Sequence, residues 1–246
     1  MSINDPAELE GLRRAGVVTR KVLDAMKAAV RPGISTRELD HVALEVMRLH
    51  GARSAPQLVY DFPGTTCISV NEEIVHGIPG ARVLASGDLV KLDVTVELDG
   101  YMADACETVA VGRAGRAQRD LIDCATRAFF AGYAQVRPGA RAYDIGAAVQ
   151  AEVVRSGFSV VRELTGHGIG RTIHEEPMIP NYREPRHSRV LTEGLVFTIE
   201  PLIAQGSGRM MTMRDGWTIR TRDRSLSAHF EHTVFVTSSG AQLLTA

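Results

Sequence analysis

Cysteine is scarce in this chain of 246 residues: Cys67, Cys106 and Cys124 are odd in number and far apart. That argues against a disulfide framework and against a Cys-x-x-Cys metal site, and three reduced thiols fit the cytoplasm. Neither charge sign is in excess. With 28 basic and 29 acidic residues there is no bulk field to draw the chain to DNA or to an anionic membrane, so partners must be recognised locally. No stretch approaches the ~20 apolar residues of a membrane span, and the opening "MSINDPAELEGLRRAG" lacks the apolar region of a secretion signal. The expectation is a globular, cytoplasmic monomer, and 44% hydrophobic residues are enough for a sizeable core.

Helix signals come first along the chain. Asp5, Pro6 and Glu8 start a long helix that runs to "RPG" at 31–33, and Ser35 with Glu38 forms a capping box for a second, ending near Gly51. The plan then repeats. A helix around 117–135 is followed by "VRPG" at 136–139, echoing "VRPG" at 30–33, and by a second helix ending at Gly157. Both landmarks lie 106 positions beyond their first copies. Strand and turn patterns follow each helical pair, so the chain reads as two similar α+β halves of about a hundred residues, with a site between them.

"GDLVKLDVTVELDGYMADACETVAVG" is the clearest strand signal. Val90, Leu92, Val94, Val96 and Leu98 alternate with Lys91, Asp93, Thr95 and Glu97, which places Asp93 away from the apolar side. A two-residue turn at Asp99-Gly100 sets Thr95 opposite Asp104 and Asp93 opposite Cys106, so Asp93 and Asp104 are diagonal neighbours on one face. The hairpin alone leaves open two solvated aspartates on an exposed strand. Downstream, Glu200 in "LVFTIEPLI" and Glu231 in "SAHFEHTVFVT" interrupt apolar runs, and a buried carboxylate needs a partner.

"GHGIGRTIHEEP" at 166–177 carries His167 and His174. Its glycines rule out a helix, and it matches neither the dinucleotide fingerprint nor the phosphate loop, which would need a following lysine. An odd spacing in a continuous strand would send the two histidines to opposite faces, so they share a site only if the chain bends between them. His167 with Asp93, Asp104, Glu200 and Glu231 makes four carboxylates and one imidazole, an oxygen-rich set that suits paired divalent ions.

These residues resemble the type I methionine aminopeptidases, metal-dependent hydrolases of the two-halved pita-bread fold. The spacings match: Asp104 follows Asp93 by 11 positions, His174 follows His167 by 7, and Glu231 follows Glu200 by 31. The most specific stretches are "VNEEIVHGIPG", "GHGIGRTIHEEP", "FTIEP" and "MRDGWTIRTRDRSLSAHFEHT". The resemblance implies one pita-bread catalytic domain over 1–246, with an antiparallel sheet, flanking helix pairs and halves of about 5–112 and 113–246. It implies two divalent ions (cobalt, manganese, iron or zinc), with Asp93 chelating one, Asp104 and Glu231 bridging both, and His167 and Glu200 on the second. By the same resemblance His76 and His174 would be the non-ligand histidines that handle substrate and, with Glu200, the catalytic residues. The activity implied is removal of the initiator methionine from nascent polypeptides when the second residue is small.

Glu200 follows His174 by only 26 positions, which leaves no room for the helical insertion of type II enzymes. Departures fall in the side-chain pocket: Ile173 stands where the family shows an aromatic residue, and "VYDFPGTTC" replaces a "YHGYPKSVC"-like loop. Phe62, Cys67 and Trp217 are the expected pocket walls. Asn71 and Ser227 resemble contributors to a monovalent-cation site. The arginines of "REPRHSR" and "RTRDR" read as a solvated rim, with a weak ribosome contact as the alternative use. Two other functions compete. A same-fold enzyme cleaving before proline would carry an additional N-terminal domain ahead of the first helix, and a metal-free binding module would have lost ligands, whereas all five are present.

Overall fold

The computed structural model describes residues 2–3, 5–186 and 188–246, so His187 of "REPRHSR" lies outside the described residues. In the first half, α1 (Pro6–Ala29) and α2 (Thr36–Leu49) precede β1 (Arg53–Ser54), α3 (Ala55–Tyr60), β2 (Cys67–Val70), β3 (Glu73–Val75), β4 (Leu89–Leu98) and β5 (Tyr101–Ala110). The helix starts follow their caps. Asp5 Oδ1 accepts from Ala7 N at 2.8 Å, and Glu38 Oε2 accepts from Ser35 N at 2.8 Å while Ser35 Oγ accepts from Glu38 N at 3.2 Å. Each such cap contributes about 1 kcal/mol. Leu12, Val22, Leu23 and Met26 of α1 and Leu39, Ala43 and Met47 of α2 are buried.

The second half comprises α4 (Arg116–Tyr133), α5 (Ala142–Arg155), β6 (Ser159–Val160), β7 (Thr165–Gly168), β8 (Glu175–Pro180), β9 (Val196–Ile199), β10 (Leu202–Ala204), β11 (Met210–Thr212), β12 (Ile219–Thr221), β13 (Ser227–Val236) and β14 (Ala241–Leu243). The repeat extends to individual hydrogen bonds. Gly33 N donates to Leu84 O and Gly139 N to Leu191 O, and Thr36 N donates to Arg82 O as Ala142 N does to Arg189 O. Gly33 and Gly139 share a left-handed backbone, φ 89° and 86°, which glycine adopts without steric penalty.

One large sheet runs β1-β4-β5-β13-β9-β7-β8, with β2 also on β4 and β10 and β14 on β13. The hairpin register is the one its turn predicts, Thr95 opposite Asp104 and Asp93 opposite Cys106, with Asp99 and Gly100 at φ 52° and 81°. The halves join where β5 meets β13 antiparallel, Cys106 opposite Glu231. On one face of the sheet, Val90, Leu92, Val94 and Val96 pack with α1 and α2, and Phe197, Ile199, Val234 and Val236 pack with α4 and α5.

The opposite face decides the alternative that the hairpin left open, two solvated aspartates on an exposed strand: Asp104 is buried and Asp93 half-buried. Lys91 is 1% exposed, and Thr95 and Glu97 are also buried. The cause is tertiary: the sheet continues through β5 into the second half, and a second sheet, β11-β12-β3, is built separately from residues of both halves.

Close packing also holds β7. A Cβ on Gly166 would lie 2.4 Å from Thr198 O of β9, a backbone atom with no freedom to swing aside. Gly166→Ala should therefore destabilise the fold by about 1–3 kcal/mol. A thermal melt within 1 °C of the parent would contradict that tight approach.

Candidate metal centre

Four strands present their chemistry in one row. By register Cys67 faces Asp93, Asp93 faces Cys106, and Cys106 faces Glu231. Glu200 stands one residue beyond Ile199, which pairs with His232, so it comes up beside Glu231 from β9. Asp104 lies two positions from Cys106 on the same face of β5, and a reciprocal pair at 2.9 Å locks it to β13: Asp104 N donates to Thr233 Oγ1, and Thr233 Oγ1 to Asp104 O.

His167 enters from β7. Its N donates to Thr198 Oγ1 at 3.1 Å, the same hydroxyl donates to Glu200 Oε2 at 2.8 Å, and its Nδ1 lies 3.0 Å from Gly168 O. With Nδ1–H given to that carbonyl, Nε2 keeps a lone pair for the cavity, 3.5 Å from Glu200 Oε2. Burial, helped by His174, lowers the His167 pKa to about 3, so this contact is made by a neutral imidazole and is not an ion pair.

The carboxylates show the opposite pressure. Burial first, then neighbouring carboxylates, push Asp93 and Glu231 well above the usual range; burial raises Asp104 to about 6 and Glu200 to about 8. Like charges brought together out of water either bind protons or bind a cation. Asp104 Oδ1 and Glu231 Oε1 are buried without a hydrogen-bond partner. Ligand-capable atoms of Asp104, His167 and Glu231 lie within 4.8 Å of one another. Carboxylate oxygens and a neutral imidazole, unpartnered and convergent, fit divalent metal by geometry and by donor chemistry.

The centre floors a cavity of about 350 Å³ whose walls include Phe62, Cys67, Ile173 and Trp217. Phe62 and Trp217 meet edge to face, ring centroids 5.2 Å apart. Burial and Asp93 push the Cys67 thiol far up, so it lines the wall as an apolar group. The bend after β7 brings the His167 and His174 rings to 4.2 Å, centroid to centroid, and His76, in the left-handed region at φ 57°, reaches the same cavity from the end of β3.

Two residues, His229 and Lys91, were not singled out from sequence, and Tyr60, in the departing loop "VYDFPGTTC", was given no partner there. Tyr60 OH is 2.5 Å from His174 Nδ1, which leaves Nε2 of that ring for the cavity. His229, 2% exposed, has both ring nitrogens without a hydrogen bond and Nε2 3.3 Å from Glu231 Oε2. Its spacing of two from Glu231 on a strand was the available signal. Lys91 Nζ meets Asn71 O at 2.6 Å and Ser227 O at 3.1 Å, the two residues that resemble monovalent-cation contributors. The arginine rim is solvated in part: Arg183, Arg186 and Arg189 are exposed, and Arg186 pairs with Glu184 at 2.8 Å.

Fold and site together define a two-halved protein that gathers metal-binding side chains at the junction of its halves. Residues 10–238 match the model for metallopeptidase family M24, and the chain belongs to that family. Methionine aminopeptidase B of Synechocystis sp. is 42% identical over 244 residues, covering 97% of this chain and 89% of the relative. The crystal structure of methionine aminopeptidase from Rickettsia prowazekii superposes with a TM-score of 0.96 at 39% identity over the full length of both chains. Prolidase from Pyrococcus furiosus reaches 0.82 at 25% identity, covering 99% of this chain and 65% of that one. Within M24, the chain falls among the methionine aminopeptidases.

The raised carboxyls have a definite sign. Without metal, the folded protein holds protons that the unfolded chain releases, so its stability should fall as pH rises from the ordinary carboxylate range through about 6 for Asp104 and about 8 for Glu200. Metal must displace those protons, so the rise in Tm on adding Mn2+ should grow between pH 5 and pH 8. Melts with and without Mn2+ across that window check it; a metal-free Tm that climbs steadily with pH would be inconsistent with this electrostatic picture.

Proposed function

We propose that the protein is a methionyl aminopeptidase that removes the initiator methionine from nascent polypeptides in the cytoplasm when the second residue is small, the whole chain acting as one catalytic domain. The observation that carries this is the convergence of Asp104, His167 and Glu231 on the floor of a cavity walled by Phe62, Cys67 and Trp217. Asp93, Asp104, His167, Glu200 and Glu231 would hold two divalent ions, with Asp104 and Glu231 serving both. When bound, such a pair lowers the pKa of water toward neutrality and polarises a carbonyl. The apolar wall suits an unbranched, polarisable side chain, and so orients methionine in the first position.

His174, held through Nδ1 by Tyr60, is assigned to donate from Nε2 to the scissile carbonyl oxygen as negative charge develops there. His76 is assigned to contact the amide nitrogen and assist its departure, and Glu200 to exchange a proton with the attacking water. His174 stabilises charge that exists mainly in the transition state, whereas His167 holds metal in every state.

The substrate reading is tested with Met-Ala-Ser, Leu-Ala-Ser and an Xaa-Pro peptide after chelation and metal re-addition. Metal-restored cleavage of Met-Ala-Ser should exceed the others by at least about tenfold, the discrimination a small change in an apolar pocket can supply. Preference for the Xaa-Pro peptide would instead favour a prolidase-like activity. Residue roles separate by metal content: Asp104→Asn, Glu231→Gln and His167→Ala should lose metal with activity, whereas His174→Ala should keep its metal and lose about 10²–10³ in kcat. A His174→Ala protein that loses metal like His167→Ala, or retains nearly full kcat, would overturn this division.

A further inference from the structure

Lys91 is a lysine in a place that solvent does not reach. Its side chain leaves the metal-site face of β4, two residues before Asp93, and reaches the turn at Asn71 and the start of β13. Three oxygens receive its Nζ: Asn71 O at 2.6 Å, Ser227 Oγ at 3.0 Å and Ser227 O at 3.1 Å. Burial lowers its pKa to about 7, and in the protonated form its three N–H donors meet three acceptors.

The surroundings orient those oxygens inward. Asn71 spends its own side chain on closing the turn before β4, Nδ2 donating to Asp88 Oδ1 at 2.8 Å and Oδ1 accepting from Leu89 N at 2.9 Å. Its backbone, at φ 57°, leaves the carbonyl to collect donors from Lys91, from Ser227 N and from Ser227 Oγ. Glu73 O lies equally near Ser227 Oγ, 3.0 Å away, so the single hydroxyl proton is shared between it and Asn71 O. Carbonyl and hydroxyl oxygens from two separate chain segments thus surround Nζ, and hard oxygen ligands of this kind would equally surround an alkali-metal ion.

We propose that the Lys91 ammonium is a built-in replacement for a monovalent cation, tying the turn at Asn71 to β13 so that Asp93 and Glu231 keep their separation. Lys91 is a positioning residue: it touches neither substrate nor the reacting atoms. Asp93 lies two residues along β4 and Glu231 four along β13, each on the face from which the tie is made. The part concerning metal affinity rests on the metal-centre reading above, and the part concerning alkali cations does not.

The test compares the parent protein, Lys91→Ala, which opens room for an ion, and Lys91→Met, which fills the space without a donor. Tm and Mn2+ affinity by calorimetry are measured in KCl, NaCl and choline chloride at equal ionic strength. The parent should have the same Tm in all three. Lys91→Ala should melt lower in choline, recover in KCl or NaCl, and bind Mn2+ about 10- to 100-fold more weakly unless K+ or Na+ is present. Lys91→Met should be destabilised in every salt. A parent protein stabilised by K+ or Na+ over choline would overturn the proposal, and that measurement needs no variant to fold. So would a Lys91→Ala protein insensitive to the choice of cation. Loss of Mn2+ binding by the parent itself would instead remove the metal-centre reading while leaving the Tm comparison valid.

Discussion

Four carboxylates meet on one wall where the two halves join, with neutral imidazoles but, among the described residues lining the cavity, no lysine or arginine, and their mutual repulsion is the constraint around which the rest is arranged. Asp93, Asp104, Glu200 and Glu231 come from β4, β5, the end of β9 and β13, so none can move away without disturbing the shared sheet. Desolvation raises all four toward their protonated forms. A rigid sheet with α1 and α2 behind one half and α4 and α5 behind the other resists the repulsion that would otherwise splay the groups apart. What a cation gains at this wall is the electrostatic free energy stored by the fold.

The basic side chains of the region are spent elsewhere. Arg20 and Lys27 of α1 both engage Glu107, on the helix face of β5, and Lys91 is held by Asn71 and Ser227. His167, His229 and His76 are kept neutral by burial, with pKa values lowered to about 3, 3 and 4. Neutral imidazoles can offer lone pairs where protonated ones would only compete with metal for the carboxylates. The cavity therefore combines an acidic floor, uncharged nitrogen groups and an apolar wall.

Local sequence rules succeeded where local physics governs. The caps at Asp5 and Ser35, the helix ends at Gly51 and Gly157, and the register of the β4–β5 hairpin follow from side-chain capping, left-handed glycines and a two-residue turn. They left open whether the face of Lys91, Thr95 and Glu97 is covered. Alternation along β4 distinguishes one face from the other but cannot say that both are covered, because the cover comes from segments distant along the chain. Tyr60 lies in the loop read as a departure, but its partner was not legible for the same reason: the contact with His174 joins residues 114 positions apart.

From sequence alone came the residue types, their spacing and the family they resemble, since carboxylates inside apolar strands and glycine-flanked histidines are chemical statements at any distance. Only the tertiary structure decided that Cys67, Asp93, Cys106 and Glu231 form one row, that the bend after Gly168 sets the His174 ring edge-on to His167, and that Lys91 faces two carbonyls instead of water. The reason is that register between β5 and β13 is set by packing two halves together. No local preference within either half records where the other will meet it.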